Sequence, residues 1–256
     1  MTSLFLSLAL LAQSYGGAHW RIMTEHGPVH VFRPQGYDSR AAGTLVYVHG
    51  LYTDVDAAWR DHRLADQFAA ANVQALFIVP EAPMSGGENL RWTSLDELLV
   101  AVHEKTGLAR PPGPVVVVGH SAAYRTIVAW LGCGRVKHVI LVDALYGNED
   151  DFLRWLADGH HRLTIVSDDT ADVAEAFVEQ LRDAVTLPAI PDDWSRAPTA
   201  ARKARVLHIR SQYRHMPLVT EGKALPVLLQ SAAPRVRPAP AGWIQAALGS
   251  RSPTTL

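Results

Sequence analysis

Short, almost wholly apolar runs punctuate this chain, and amphipathic stretches separate them. The runs lie at 44–48, 73–79, 115–118, 139–142 and 163–166, and the third is four valines in succession. A strand that is apolar throughout must be covered on both faces, so these runs predict buried strands of a largely parallel sheet. Residues 19–27 and 28–33 read as two further short strands around the turn His26-Gly27-Pro28, and 205–210 as a last one. Between the strands the spacing changes to that of helices. Residues 57–71 carry Trp59, Leu64, Phe68 and Ala69 on or near one face. A helix over 95–105 starts behind Thr93 or Ser94 and stops at Gly107. Helices are also predicted over 122–131, 149–157, 170–184 and 219–230, where Pro226 must kink the last or sit in its first turns. Strands alternating with helices give an α/β fold with a mostly parallel central sheet and helices on both faces. No internal repeat is present.

Composition narrows the picture. The chain has 256 residues, 48% of them hydrophobic, enough for one sizeable core, placed here over 19–231. Charged residues make up 19% and the formal net charge is −1, so nucleic acid or an anionic membrane surface is not an expected partner. The twelve histidines are scattered without metal-ligand spacing, and the single cysteine, Cys133, argues against structural zinc and permits no internal disulfide. The apolar run 4–12 is too short to span a bilayer, so no stable membrane insertion is expected. It suits the core of a secretory signal, with small residues following at Ser14, Gly16, Gly17 and Ala18, although no Lys or Arg precedes it. Residues 1–18 are therefore read as a signal peptide or N-terminal extension, implying a secreted or periplasmic protein, with a cytoplasmic location as the alternative. Residues 232–256, with Pro234, Pro238 and Pro240, read as a loosely packed tail in which 243–248 could dock as a short helix.

Ligands bind beyond the carboxyl ends of parallel strands, so the polar residues that follow the apolar runs are the chemical candidates. These are His49, Ser121, Asp143, the pair Asp168-Asp169 and His215. Ser121 is the most specific. The valine strand runs into Gly119-His120-Ser121-Ala122-Ala123 and then into a helix, the strand-turn-helix context of a nucleophile elbow. Gly119 and Ala123 are small enough for strand and helix to approach closely, with alanine standing where Gly-x-Ser-x-Gly has its second glycine.

Over about residues 21–230 the chain resembles the α/β-hydrolase superfamily, on the Gly-His-Ser-Ala-Ala elbow and the His49-Gly50 pair closing the third strand. The resemblance implies a serine hydrolase with Ser121 as nucleophile and an oxyanion hole formed by the backbone N–H groups of Ala122 and Leu51. His49 is then a residue that shapes its loop. The superfamily places its general base in the loop after the last strand, where this chain has His215. His208 lies within that strand, His138 and His160-His161 lie at amino ends of strands, and His120 is expected to point away from its neighbour Ser121. Two acids remain open. Asp143 ends an apolar strand directly and is favoured, whereas Asp169 occupies the more usual loop but could equally cap the helix after it. The implied reaction is acyl transfer to Ser121 and hydrolysis of the acyl-enzyme, with no metal or organic cofactor. Only 144–162 separates two strands where many members carry a lid, so no large lid is expected. The loops 51–57 and 81–92 should rim the pocket, with Tyr52, Met84, Leu90 and Trp92 as candidate wall residues. Arg91 and Arg214 either attract a substrate carboxylate or pair with nearby acids. The expected partner is a small-molecule acyl substrate, most simply a carboxylic ester, with an amide or peptide, or a non-catalytic binding role, as alternatives. Nothing in the sequence fixes the oligomeric state.

Overall fold

The computed structural model describes residues 16–232. The apolar run 4–12 and the prolines of the expected tail lie outside these residues. The first strand, β1 (Gly17–Thr24), starts two residues before the expected boundary and forms a hairpin with β2 (Gly27–Pro34). Gly27 closes the turn with φ +107, a conformation open to glycine at little cost. The buried runs become β3 (Gly43–Val48), β4 (Ala75–Pro80), β5 (Val115–His120), β6 (Val136–Val142) and β7 (Arg162–Ser167). A three-residue strand β8 (Val185–Leu187) and β9 (Val206–Arg210) complete a nine-stranded sheet in the order β1-β2-β4-β3-β5-β6-β7-β9-β8. Only β1–β2 and β2–β4 pair antiparallel.

The valine run shows why the sheet needs cover on both sides. Val115 and Val117 enter one apolar cluster with Leu95, Ile127, Trp130, Phe152 and Phe177. Val116 and Val118, pointing the other way, enter a second with Phe68, Leu218, Leu225 and Leu228. Helices α3 (Leu95–Thr106), α4 (Tyr124–Trp130), α5 (Glu149–Leu156) and α6 (Ala171–Glu179) feed the first cluster. Helices α1 (Val55–Asp61), α2 (Leu64–Ala71), α7 (Thr199–Lys203), α8 (Pro217–Thr220) and α9 (Ala224–Gln230) feed the second. The segment between β6 and β7 is α5 and its short connections, with no lid domain.

Three expectations about elements are corrected. The single helix over 57–71 is two, α1 and α2, broken where Arg63 takes a left-handed φ of 50. The helix over 219–230 is likewise split into α8 and α9, with Gly222 at φ 76 between them and Pro226 in the first turn of α9, where its missing N–H costs nothing. The helix over 170–184 stops at Glu179, and the chain goes on to β8.

Candidate active site

The sheet delivers the candidate residues to one edge. At the end of β5 the backbone of Ser121 enters the left-handed region, φ +57, before a short 3₁₀ turn leads into α4. A non-glycine residue held there is strained, and the surrounding packing must impose it. Gly119 supplies part of that packing: a methyl on it would stand 2.4 Å from Ile127 Cδ1 and 3.0 Å from Ala123 Cβ. With no side chain at 119, an alanine at 123 is accommodated. Gly50 supplies the rest, since a methyl there would lie 2.7 Å from Ser121 Cβ and 3.2 Å from the His120 carbonyl oxygen. The backbone after β3 is thus pressed against the serine. Gly50, Leu51, Pro83, Ala122 and Arg125 face one another in a tight crevice beside this contact.

Asp143 follows β6, also with positive φ (+47), and is fully buried. Its Oδ1 accepts from the N–H groups of Asp168 (2.9 Å) and Thr170 (3.0 Å) and from the Thr170 hydroxyl (2.8 Å). Its Oδ2 accepts from Asp169 N–H (3.1 Å) and from His215 Nδ1 at 2.6 Å. Burial by itself would raise the carboxyl pKa, but the His215 hydrogen bond and those from the 168–170 loop hold it well below the usual carboxylate range. The same hydrogen bond raises His215 above the ordinary imidazole value, against the opposing effect of burial, and the charges of Asp143, Asp169 and Asp168 add to it. Asp169 stands off, its Oδ2 at 3.9 Å from His215 Nδ1. Its backbone, rather than its side chain, serves the cluster, and α6 begins without a side-chain cap. Asp143, Asp169 and His215 also form the one group among the described residues close enough to share a metal ion. The hydrogen bond between Asp143 and His215 already accounts for that closeness.

His120 does not point away from the site. Its buried ring lies 4.5 Å from the ring of His215, and its Nε2 bonds the His215 carbonyl at 3.2 Å. Burial, with the charges of His215 and His62, lowers its pKa to about 3, so it is a neutral donor to that carbonyl. His49 is buried, with Nδ1 at 2.8 Å from Gly50 O and Nε2 close to both Glu81 Oε1 (3.0 Å) and Ala82 N (3.1 Å), contacts that fix the loop carrying Leu51. Glu81 also accepts from Val55 N–H at the start of α1. Sequence reading passed over Glu81, although it is the first polar residue past β4, the same signal that singled out Asp143. Arg125 of α4 donates to the carbonyls of Gly86 and Glu88 and pins the 86–88 loop to that helix.

Trp92 does not wall the site. It is 2% exposed and packs in the core, where its carbonyl accepts from Trp130 Nε1, because the loop folds back to start α3. Tyr52 is 93% exposed beside Leu51, and Met84 is exposed as well. Arg91 pairs with Glu88 at 3.0 Å, and Arg214 faces Asp168 and Asp169 at 3.5 and 3.8 Å.

No protein-family model matches the sequence, and no curated protein matches it. Solved structures do match. The feruloyl esterase module of Clostridium thermocellum, complexed with sinapinate, aligns over 86% of this chain and 91% of its own, with 12% identity and a TM-score of 0.55. S-formylglutathione hydrolase from Staphylococcus aureus aligns over 84% and 98%, with 13% identity and a TM-score of 0.55. The carboxylesterase EstE1, cloned from a metagenomic library, aligns over 89% of both chains, with 12% identity and a TM-score of 0.53. The chain has the α/β-hydrolase fold. Within that fold Ser121, Asp143 and His215 follow β5, β6 and β9, three strands whose carboxyl ends lie on the same edge of the sheet. No helix among the described residues is long and apolar enough to cross a membrane.

Proposed function

We propose that this protein is a serine hydrolase that cleaves a carboxylic ester of a small molecule through an acyl-enzyme. The observation that carries the reading is the 2.6 Å contact of His215 Nδ1 with the buried Asp143, in a ring packed against the residue that precedes a strained Ser121. With Nδ1 engaged by the carboxylate, Nε2 is left to take the serine proton as Oγ attacks the acyl carbon. Asp143 fixes the tautomer and stabilises the imidazolium that results. The N–H groups of Ala122 and Leu51 receive the developing oxyanion. His215 then returns its proton to the leaving alcohol and activates the water that frees the acid. The scheme uses no metal or organic cofactor. A feruloyl esterase, a carboxylesterase and an S-formylglutathione hydrolase among the structural matches make an ester the first substrate to try.

A fluorophosphonate probe tests the reading. Wild type should be labelled on Ser121 and Ser121→Ala should not. Equal labelling of the two, or none of either, overturns the assignment. An ester panel run beside matched amides should show turnover of the esters.

A further inference from the structure

Resting on the serine-hydrolase reading, we infer that the ester carries a flat aromatic ring, and that Tyr146 and Tyr52 select it. Seven large hydrophobic side chains are exposed among the described residues, and four of them, Tyr52, Met84, Tyr146 and Met216, stand on loops beyond the carboxyl ends of β3, β4, β6 and β9. Those loops carry or adjoin the candidate machinery. Tyr52 follows Leu51, Met216 follows His215, and Tyr146 lies three residues past Asp143. On the histidine side, the Tyr146 ring is 6.4 Å from that of His215 and 6.5 Å from that of Tyr124, and it is 46% exposed. On the oxyanion side, Tyr52 N–H donates to the Met84 carbonyl at 2.8 Å. In strand order, the loop that carries Ser121 thus lies between loops that carry a tyrosine and a methionine on each side.

Tyr52 holds its position at a cost. A bulky residue with φ +66 is strained, yet 93% exposure means its side chain gains almost no packing within the chain. The turn therefore presents the ring to solvent rather than to the core. The chemistry of the rim points to an aromatic partner. Tyrosine faces favour offset or edge-on rings, and methionine sulfur favours ring edges. A rigid ring gives up little conformational freedom on an open platform, where a flexible alkyl chain loses more. The Tyr146 phenol is pushed up to about 12, by burial first and then by Asp143, Asp169 and Asp168, so it stays uncharged over the range in which esters can be assayed.

The test uses two esters that differ only in the aromaticity of the ring, methyl cinnamate and methyl 3-cyclohexylacrylate, each kcat/KM divided by the ester's rate with hydroxide. Wild type should favour the cinnamate. Tyr146→Leu, which keeps apolar bulk, should lower that preference about three- to tenfold, the range of an aromatic pair. Tyr146→Phe should retain it. Tyr52→Gly should lower it while raising Tm, because glycine relieves the backbone. A wild-type ratio near one, or a ratio unchanged in Tyr146→Leu, overturns the inference. If Ser121 is labelled by the fluorophosphonate while the ratio is flat, this inference alone fails; if Ser121 is not labelled, the hydrolase reading fails first.

Discussion

His215 is subject to opposed influences, and the outcome sets the working pH. Burial favours the neutral ring, but the Asp143 hydrogen bond and three nearby carboxylates favour the imidazolium and win. The proposed base must be neutral to act, so the acid limb of the kcat/KM profile should lie above pH 6.5, the usual histidine value. Asp143→Asn removes the strongest support for the cation. Its acid limb should move to lower pH while kcat falls by about 10³–10⁴, as expected when the imidazole loses its orienting carboxylate. Asp169→Asn, standing 3.9 Å away, should change kcat by less than about threefold, and pH–rate profiles of the two variants check the contrast. A larger loss in Asp169→Asn would reverse the assignment of the acid. The sequence left both acids open for a physical reason. Each follows a buried strand, and spacing along the chain does not say which carboxylate turns inward. The turn at Asp143, φ +47, and the three loop N–H groups that converge on it hold that carboxylate beside His215, and neither has a signature in residue type. The position of His120 was illegible for the same reason.

At the level of elements, the strand, turn and helix around Ser121 were the most legible part of the chain, because a run of four valines leads into Gly-x-Ser-x-small and then into helical spacing. Two glycines packed against this segment or within it, Gly50 and Gly119, make a prediction that separates flexible neighbours from rigid ones. Gly119→Ala should cost about 1–3 kcal/mol in urea unfolding, through overpacking. Ile127→Val removes the atom 2.4 Å from the new methyl and should recover part of that loss. Gly50→Ala meets Ser121 Cβ and a backbone oxygen, so it should lower the fluorophosphonate labelling rate with no such rescue. Helix breaks were the least legible. Arg63 carries no hint of its left-handed turn, and apolar spacing continues across it from Trp59 to Phe68, so one amphipathic helix was the simplest reading. Three-residue β8 and the short α7 and α8 are set by packing against the second apolar cluster rather than by their own periodicity.

For the whole molecule, six histidines among the described residues are held below the ordinary imidazole value. Burial, the largest influence on each, lowers His19 and His62 to about 4 and His120 to about 3, and lowers His30, His138 and His208 as well. Below about pH 6.5 the unfolded chain takes up protons that the folded chain refuses, so each such histidine reduces stability as pH falls toward its own folded value, at about 1.4 kcal/mol per pH unit. His215 works the other way: its raised pKa contributes stability below pH 6.5, which is lost as pH rises through its folded value. Asp143, held low, contributes stability above about pH 3.9 that is lost only in stronger acid. Six against one, the histidines should win, and urea midpoints should fall between pH 7 and pH 5. A flat midpoint over that interval would contradict the picture. The Asp143 carboxylate also ties the end of β6 to the loops after β7 and β9, and this gives the molecule a built-in reporter. The amide protons of residues 168, 169 and 170 all end on its two oxygens, so their NMR shifts and solvent exchange register the ionisation of one buried acid, readable in the resting protein with no substrate at hand.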